Sequence, residues 1–240
     1  VSVRTVIPLS CTRTAPVKPR FLGIQPFWEQ DCRSQGFRHI AGVDEAGRGC
    51  LFGPVVAAAV ILRDPHGLRG IDDSKKLDEE QREALYQRIV EKAFAWSVSF
   101  VDARVIDSIN ILQASRLAMR LAVESLPAPA DSLLVDATHI DLNVPQLSII
   151  HGDAVCRSIA AASILAKVSR DRSMREWERI YPGYGLGKHK GYGTAVHLKA
   201  LSTLGATVEH RFSFRPVREA CHAIPNLGWR AAADHQMELF

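Results

Sequence analysis

"IAGVDEAGRG", residues 40–49, runs an apolar segment straight into two adjacent carboxylates, Asp44 and Glu45, and then into Gly47, Arg48 and Gly49. Side chains alternate faces along a strand, so one of the two acids enters the core unless the backbone bends, and a buried carboxylate is costly without a metal, a cation or water beside it. Gly47 and Gly49 allow such a bend. The stretch therefore predicts a buried strand that ends at a charged site. The tight loop after it, with backbone N–H groups and one guanidinium, suits phosphate or ribose contacts.

Working outward, "GPVVAAAVIL" (53–62) reads as a second strand, forming a hairpin with the first across the glycine-rich loop. A short helix is expected over 27–35. A capped amphipathic helix is expected over 72–93, where early acids precede Leu77, Ala84, Leu85, Ile89 and Val90, and a helix by its spacing over 108–126, ended by Pro127 and Pro129. Strands are expected at 95–101, 132–136 and 146–150, and one long helix over 152–180 with Asp153 at its start, where the helix dipole favours an anion. Small residues in "SIAAASILAK" let that last helix lie close to a sheet. Two antiparallel strands followed by strands alternating with helices give an α/β fold, a mixed sheet with helices packed on it, then a helical C-terminal region.

Three acids share a context: Asp44 closes one strand, Asp136 another, and Asp153 follows a third. Such ends gather in a crevice of an α/β sheet. Taken singly, Asp153 reads as a helix N-cap and Asp136 as the start of an Asx turn. Taken together, an all-oxygen set without a Cys or His pattern favours a hard cation, Mg²⁺ or Mn²⁺, and such ions commonly act in pairs on phosphodiesters.

The motifs "AGVDEAGRG", "DDSKKL" (72–77), "NILQAS" (110–115), "LLVDAT" (133–138), "HGDAVCRSIAAASILAKVSRDR" (151–172), "YPGYGLGKHKGYGT" (181–194) and "HRFSFRPV" (210–217) resemble, in order, those of bacterial ribonuclease HII. The resemblance implies a ribonuclease H-like fold, a five-stranded mixed sheet flanked by helices with a small C-terminal helical region. It implies a metal-dependent endonuclease that hydrolyses the RNA strand of RNA–DNA hybrids and cleaves 5′ of single ribonucleotides in duplex DNA, leaving 3′-hydroxyl and 5′-phosphate ends.

By the same resemblance Asp44, Glu45, Asp136 and Asp153 are the catalytic, metal-holding carboxylates, with two Mn²⁺ or Mg²⁺ ions when substrate is bound. Gly47, Arg48 and Gly49 match the loop that senses the 2′-hydroxyl, a group DNA lacks. Tyr192 matches the tyrosine that stacks at the ribonucleotide–deoxynucleotide junction; alone it would read as a core or loop anchor. Lys75 and Lys76 resemble a phosphate-contacting loop, against the plainer reading of two solvated lysines. His189 and His210 are read as structural or substrate-adjacent. Four positions depart from the family pattern: Cys50 for proline, which could soften the loop, Ala137 for glycine, His151 for lysine and Phe212 for arginine. A rival of another class is a catalytically silent hybrid-binding module of the same fold.

The rest of the chain fits this frame. With 30 basic and 26 acidic residues the net charge is only +4, but from Gly183 to Arg218 six Lys or Arg face one acid, Glu209, as expected of a local anion-binding surface or a solvated face. The longest strongly apolar stretches, 53–62 and 158–166, are far too short to cross a bilayer, so a soluble monomer with no membrane partner is expected. Five cysteines without a C-x-x-C pair fit neither a disulfide framework nor a thiolate zinc site and point to a reducing cytoplasm. Residues 1–26, basic and rich in proline, are expected to be a disordered arm; their composition is also that of a transit segment or an upstream extension. Residues 27–218 are then the catalytic domain and 219–240 a tail. Its end, "QMELF", resembles the bacterial sliding-clamp-binding motif, with Gln236, Leu239 and Phe240 as the partner-binding residues, or is a frayed terminus.

Overall fold

The computed structural model describes residues 27–64, 68, 71 and 77–223. Five strands, β1 (Ile40–Ala46), β2 (Val55–Leu62), β3 (Ala93–Val101), β4 (Ser132–Asp136) and β5 (Gln146–Ile149), form one sheet in the order β3-β2-β1-β4-β5. The expected β1–β2 hairpin is antiparallel, as is β2–β3, whereas β1–β4 and β4–β5 are parallel. The sheet is therefore mixed. Central strands covered on both faces should read as unbroken apolar runs, and every residue of β2, VVAAAVIL, is buried.

Helices α3 (Ala103–Ile109) and α4 (Ile111–Glu124) cover one face, where Ala114, Ala118, Met119 and Ala122 pack on Val43, Ala57 and Ala59. Helices α2 (Glu79–Lys92) and α5 (Arg157–Ile180) cover the other, with Leu85, Ile89, Ala161 and Leu165 against Ala58 and Val60. The small residues of α5 do bring it onto the sheet: a Cβ added at Gly42 in β1 would lie 2.0 Å from the Ser158 carbonyl carbon. Helices α1 (Phe27–Ser34), α6 (Leu186–His189), α7 (Ala195–Leu204) and α8 (Arg215–Ala223) complete the described chain.

Two expected helices are broken. The one over 108–126 divides at Asn110, whose φ of 68° is left-handed. Its side chain accepts from the Leu112 and Gln113 N–H groups, so Asn110 caps α4 instead of continuing α3. The one over 152–180 divides at Cys156, which is extended; Gly152–Ala154 form a separate 3-10 turn. Asp153 thus lies in that turn and not in the first turn of α5. Cys156 supplies no side-chain cap to α5. Glu29 of α1, far away in the chain, takes that role: it accepts from the Ser158 N–H at 2.7 Å and from the Ser158 hydroxyl at 2.9 Å. A carboxylate at this end both satisfies a free N–H group and suits the helix dipole. Helix α2 begins at Glu79, later than expected, because Asp78 and Gln81 form a reciprocal capping box there.

Candidate active site

The ladder between β1 and β4 ends at Val43–Val135, so Asp44 and Asp136 stand side by side at the C-terminal ends of adjacent parallel strands, just past their last shared pair. The turn that follows β5 reaches Asp136 through its backbone: the Gly152 N–H donates to Asp136 Oδ1 at 2.6 Å, and Asp153, 7% exposed, is the next residue in the chain. The backbone does not bend at Asp44 and Glu45, and of the two acids it is Asp44 that is buried. Strand β1 stays paired with β2 through Ala46, whereas its ladder with β4 stops at Val43.

These carboxylates repel one another. Burial pushes the Asp44 carboxyl well above the usual range, and the charges of Glu45 and Asp136 push it further. Two hydrogen bonds oppose this, one from the Glu45 N–H at 2.7 Å and one from Ser163. Burial also raises Glu45, opposed by the Arg48 guanidinium at 3.1 Å and reinforced by Asp136. Asp44, Glu45 and Asp136 are thus within electrostatic reach, with Asp153 behind Gly152. Among the described residues no group of three or more His, Cys, Asp or Glu side chains is placed so that it could by itself hold a metal ion. The donors are all oxygen, buried at Asp44 and half-buried at Glu45 and Asp136, with one guanidinium at the rim, and a hard divalent cation is the chemistry that would offset their repulsion.

The loop after β1 is built on two buried arginines. Arg170 of α5 donates to the carbonyls of Phe52 at 2.9 Å, Pro54 at 3.1 Å and Lys190 at 2.7 Å, joining the Gly47–Gly49 loop region to the 187–193 loop. Arg211 donates to the carbonyls of Gly53 and Arg48, both at 2.9 Å. Burial and the neighbouring Arg170 charge lower the Arg211 pKa to about 10. Gly49 is open: an added Cβ would meet nothing within 4 Å, so packing within the chain gives no reason for a glycine there.

Tyr192 is 43% exposed. It is held against the loop by an isolated antiparallel bridge to Cys50, beside a Leu51 N–H to Gly191 carbonyl bond of 2.8 Å, and the Lys167 ammonium stands 6.0 Å from its ring centre. The Cys50 N–H closes the turn onto the Gly47 carbonyl at 3.4 Å. Proline has no N–H to make that bond. Phe212 packs with Leu51, Leu201 and Val217. Ala137 and His151 both take left-handed φ, 46° and 55°. Lys75, Lys76, Gln236, Leu239 and Phe240 lie outside the described residues.

Arg170, Arg211, Lys167 and Glu29 were not read as site residues from the sequence. Arg170 carried a usable signal, because it continues the buried stripe Ile159, Ala166, Met174 on α5. Glu29 carried none, its partner being far away in the chain.

A family model described as Ribonuclease HII matches residues 41–217. The chain is 56% identical to a Ribonuclease HII of Solibacter usitatus over 79% of its length and 83% of the relative's, and 52% identical to one of Halalkalibacterium halodurans over 80% and 73%. Among solved structures it resembles the ribonuclease H2 from Pyrococcus horikoshii OT3, with a TM-score of 0.66 at 24% identity over 79% of this chain and 100% of that one. It also resembles RNase HII in the PCNA:RNase HII complex from Archaeoglobus fulgidus, at 0.64 and 24% over 75% and 96%, and Bst-RNase HIII in complex with Mn²⁺, at 0.64 and 21% over 80% and 71%. At these identities the structures establish the fold, the ribonuclease H-like sheet with its flanking helices. Among the described residues no helix is long and apolar enough to cross a membrane. The matched span and the identity to its bacterial members show that this chain belongs to the ribonuclease HII family, endoribonucleases of the ribonuclease H type.

Proposed function

We propose that this endoribonuclease hydrolyses the RNA strand of RNA–DNA hybrids and cleaves 5′ of single ribonucleotides embedded in duplex DNA, leaving 3′-hydroxyl and 5′-phosphate ends. One observation carries the reading: the carboxylates at the end of β1 and the loop bearing Gly47–Gly49 leave the same strand, beside Asp136 of β4, and Arg170 ties the flank of that loop to the loop bearing Tyr192. The acids and the two loops thus share one frame, which is what positioning a phosphodiester would demand.

Asp44, Glu45, Asp136 and Asp153 would hold Mg²⁺ or Mn²⁺. When bound, such ions lower the pKa of a water to supply the nucleophile and stabilise the leaving oxygen. The chain's own groups do the rest. Arg48 compensates Glu45, and the open backbone at Gly49 admits a ribose, whose 2′-hydroxyl gives it a partner that DNA does not offer. The exposed face of Tyr192 provides a stacking surface at the junction, and Lys167 beside it adds positive charge toward a phosphate. Lys75 and Lys76 would add phosphate contacts from the segment before α2.

A duplex carrying one ribonucleotide, incubated with Mg²⁺ or Mn²⁺, tests the reading. Cleavage 5′ of the ribonucleotide supports it; tight binding without cleavage would establish the silent module. The tail Gln236, Leu239 and Phe240 would engage a DNA sliding clamp and raise the local concentration of enzyme at replicated DNA. Deleting 236–240 should end clamp pull-down and spare oligonucleotide cleavage. The four described cysteines are free, which suits a reducing cytoplasmic setting.

A further inference from the structure

We propose that His197 and His210 are positioning residues, a two-imidazole hydrogen-bond chain that runs from Thr207 to the main-chain carbonyl of Tyr192 and fixes where that tyrosine stands. The proposal rests on the reading of Tyr192 as the residue that meets the ribonucleotide junction.

Both rings are wholly buried. The Thr207 N–H lies 2.9 Å from His210 Nδ1. An amide only donates, so Nδ1 is the bare nitrogen and the ring proton is on Nε2. His197 Nδ1 lies 3.0 Å from the Tyr192 carbonyl oxygen. A carbonyl only accepts, so His197 carries its proton on Nδ1 and presents a bare Nε2. The two Nε2 atoms are 3.1 Å apart, one donor facing one acceptor. The partners at the two ends thus dictate every proton position in between.

The surroundings keep the chain neutral. His189 stacks on His197 at 4.6 Å between ring centres, with its Nε2 2.7 Å from the Tyr184 carbonyl and its Nδ1 accepting from the Gly191 N–H at 3.2 Å. Phe52 meets His210 edge-on at 4.9 Å, and Tyr184 lies tilted against it at 5.2 Å. Burial first, and His197 second, push the His210 pKa down to about 3, and burial lowers that of His197. A proton added to either bare nitrogen would set donor against donor. Packing alone would be met by any aromatic ring; the Tyr192 carbonyl, which also accepts from the Thr194 N–H at 2.8 Å, gains its second donor only from an N–H at the Nδ1 position.

Nitrogen-15 NMR of the wild-type enzyme should show His197 as the Nδ1–H tautomer and His210 as the Nε2–H tautomer. His197→Phe should lower cleavage at a single ribonucleotide relative to cleavage of a long hybrid on the order of tenfold, as displacement of a positioned group does. His197→Asn, whose amide can reach the same carbonyl, should recover most of that ratio. Combined with Tyr192→Ala, His197→Phe should cost nothing more. An Nε2–H tautomer at His197, a folded His197→Phe enzyme with the wild-type ratio, or losses that multiply in the double variant would each overturn the proposal. Should His197→Phe fail to fold, the tautomers and His197→Asn decide it. If Tyr192→Ala alone leaves the ratio unchanged, the reading of Tyr192 has failed, and the tautomer measurement still tells whether the chain exists.

Discussion

The guanidinium of Arg170 fills the place where a side chain at residue 47 would go: a Cβ on Gly47 would stand 2.1 Å from Arg170 Nε and 2.5 Å from its Cδ. Gly47 also has a φ of 94°, in the left-handed region that glycine alone enters freely. Arg170 cannot readily withdraw, because three carbonyls hold it. Gly47→Ala should therefore destabilise the fold by roughly 2 kcal/mol or more, from strain and lost contacts. Hybrid affinity should fall with it. Thermal melting and fluorescence anisotropy with a labelled hybrid check both; an unchanged melting temperature would show that the loop moves freely over Arg170.

Ala137, directly after Asp136, has a φ of 46°. A non-glycine residue there costs about 1–2 kcal/mol, and glycine's greater freedom in the unfolded chain returns about 0.5–1 kcal/mol of that. Ala137→Gly should stabilise by roughly 0.5–1 kcal/mol, the difference between the two effects, read from urea melts with cleavage retained.

Asp136 adds to the repulsion that raises Asp44, after burial and Glu45. Asp136→Asn removes that charge while its amide oxygen can keep the Gly152 bond. Without divalent metal the variant should melt no lower than wild type. With millimolar Mg²⁺ or Mn²⁺ the wild-type melting temperature should rise, as any ligand selective for the native state requires, and EDTA should reverse it. The variant should show little of this rise and no cleavage. Equal metal stabilisation of both proteins would place the ion elsewhere.

The buried histidines give stability a pH dependence. His210 has a folded-state pKa of about 3 against an ordinary value of 6.5. Between these limits the unfolded chain binds more protons, so stability increases with pH. Its contribution is complete above 6.5 and is lost as pH falls toward 3. His197 shifts in the same direction; Asp44 and Glu45, raised by burial, act oppositely. His210→Gln should therefore lose less melting temperature than wild type between pH 7 and pH 5. A steeper loss would reverse the assigned sign.

Elements with a local cause could be read from the residues alone. The alternation and apolar runs of β1, β2 and β3 announced the strands, and the order of motifs announced the family. The positions of Asp44 and Asp136 where β1 and β4 leave their shared ladder were legible for the same reason, since a charged residue that closes an apolar run marks where a buried strand meets solvent, whereas Asp153, expected at a helix start, lies in a separate 3-10 turn. The helix break at Asn110 was missed because an unbroken helical pattern runs through it, and only the cap geometry separates α3 from α4. The start of α5 was misplaced because its cap comes from Glu29. It took the assembled core to bury Arg170 and Arg211 beneath the loop after β1 and to link His210 through His197 to Tyr192. Those contacts join residues far apart in the chain, and no local pattern encodes which distant carbonyl a buried donor will find until packing brings the two together.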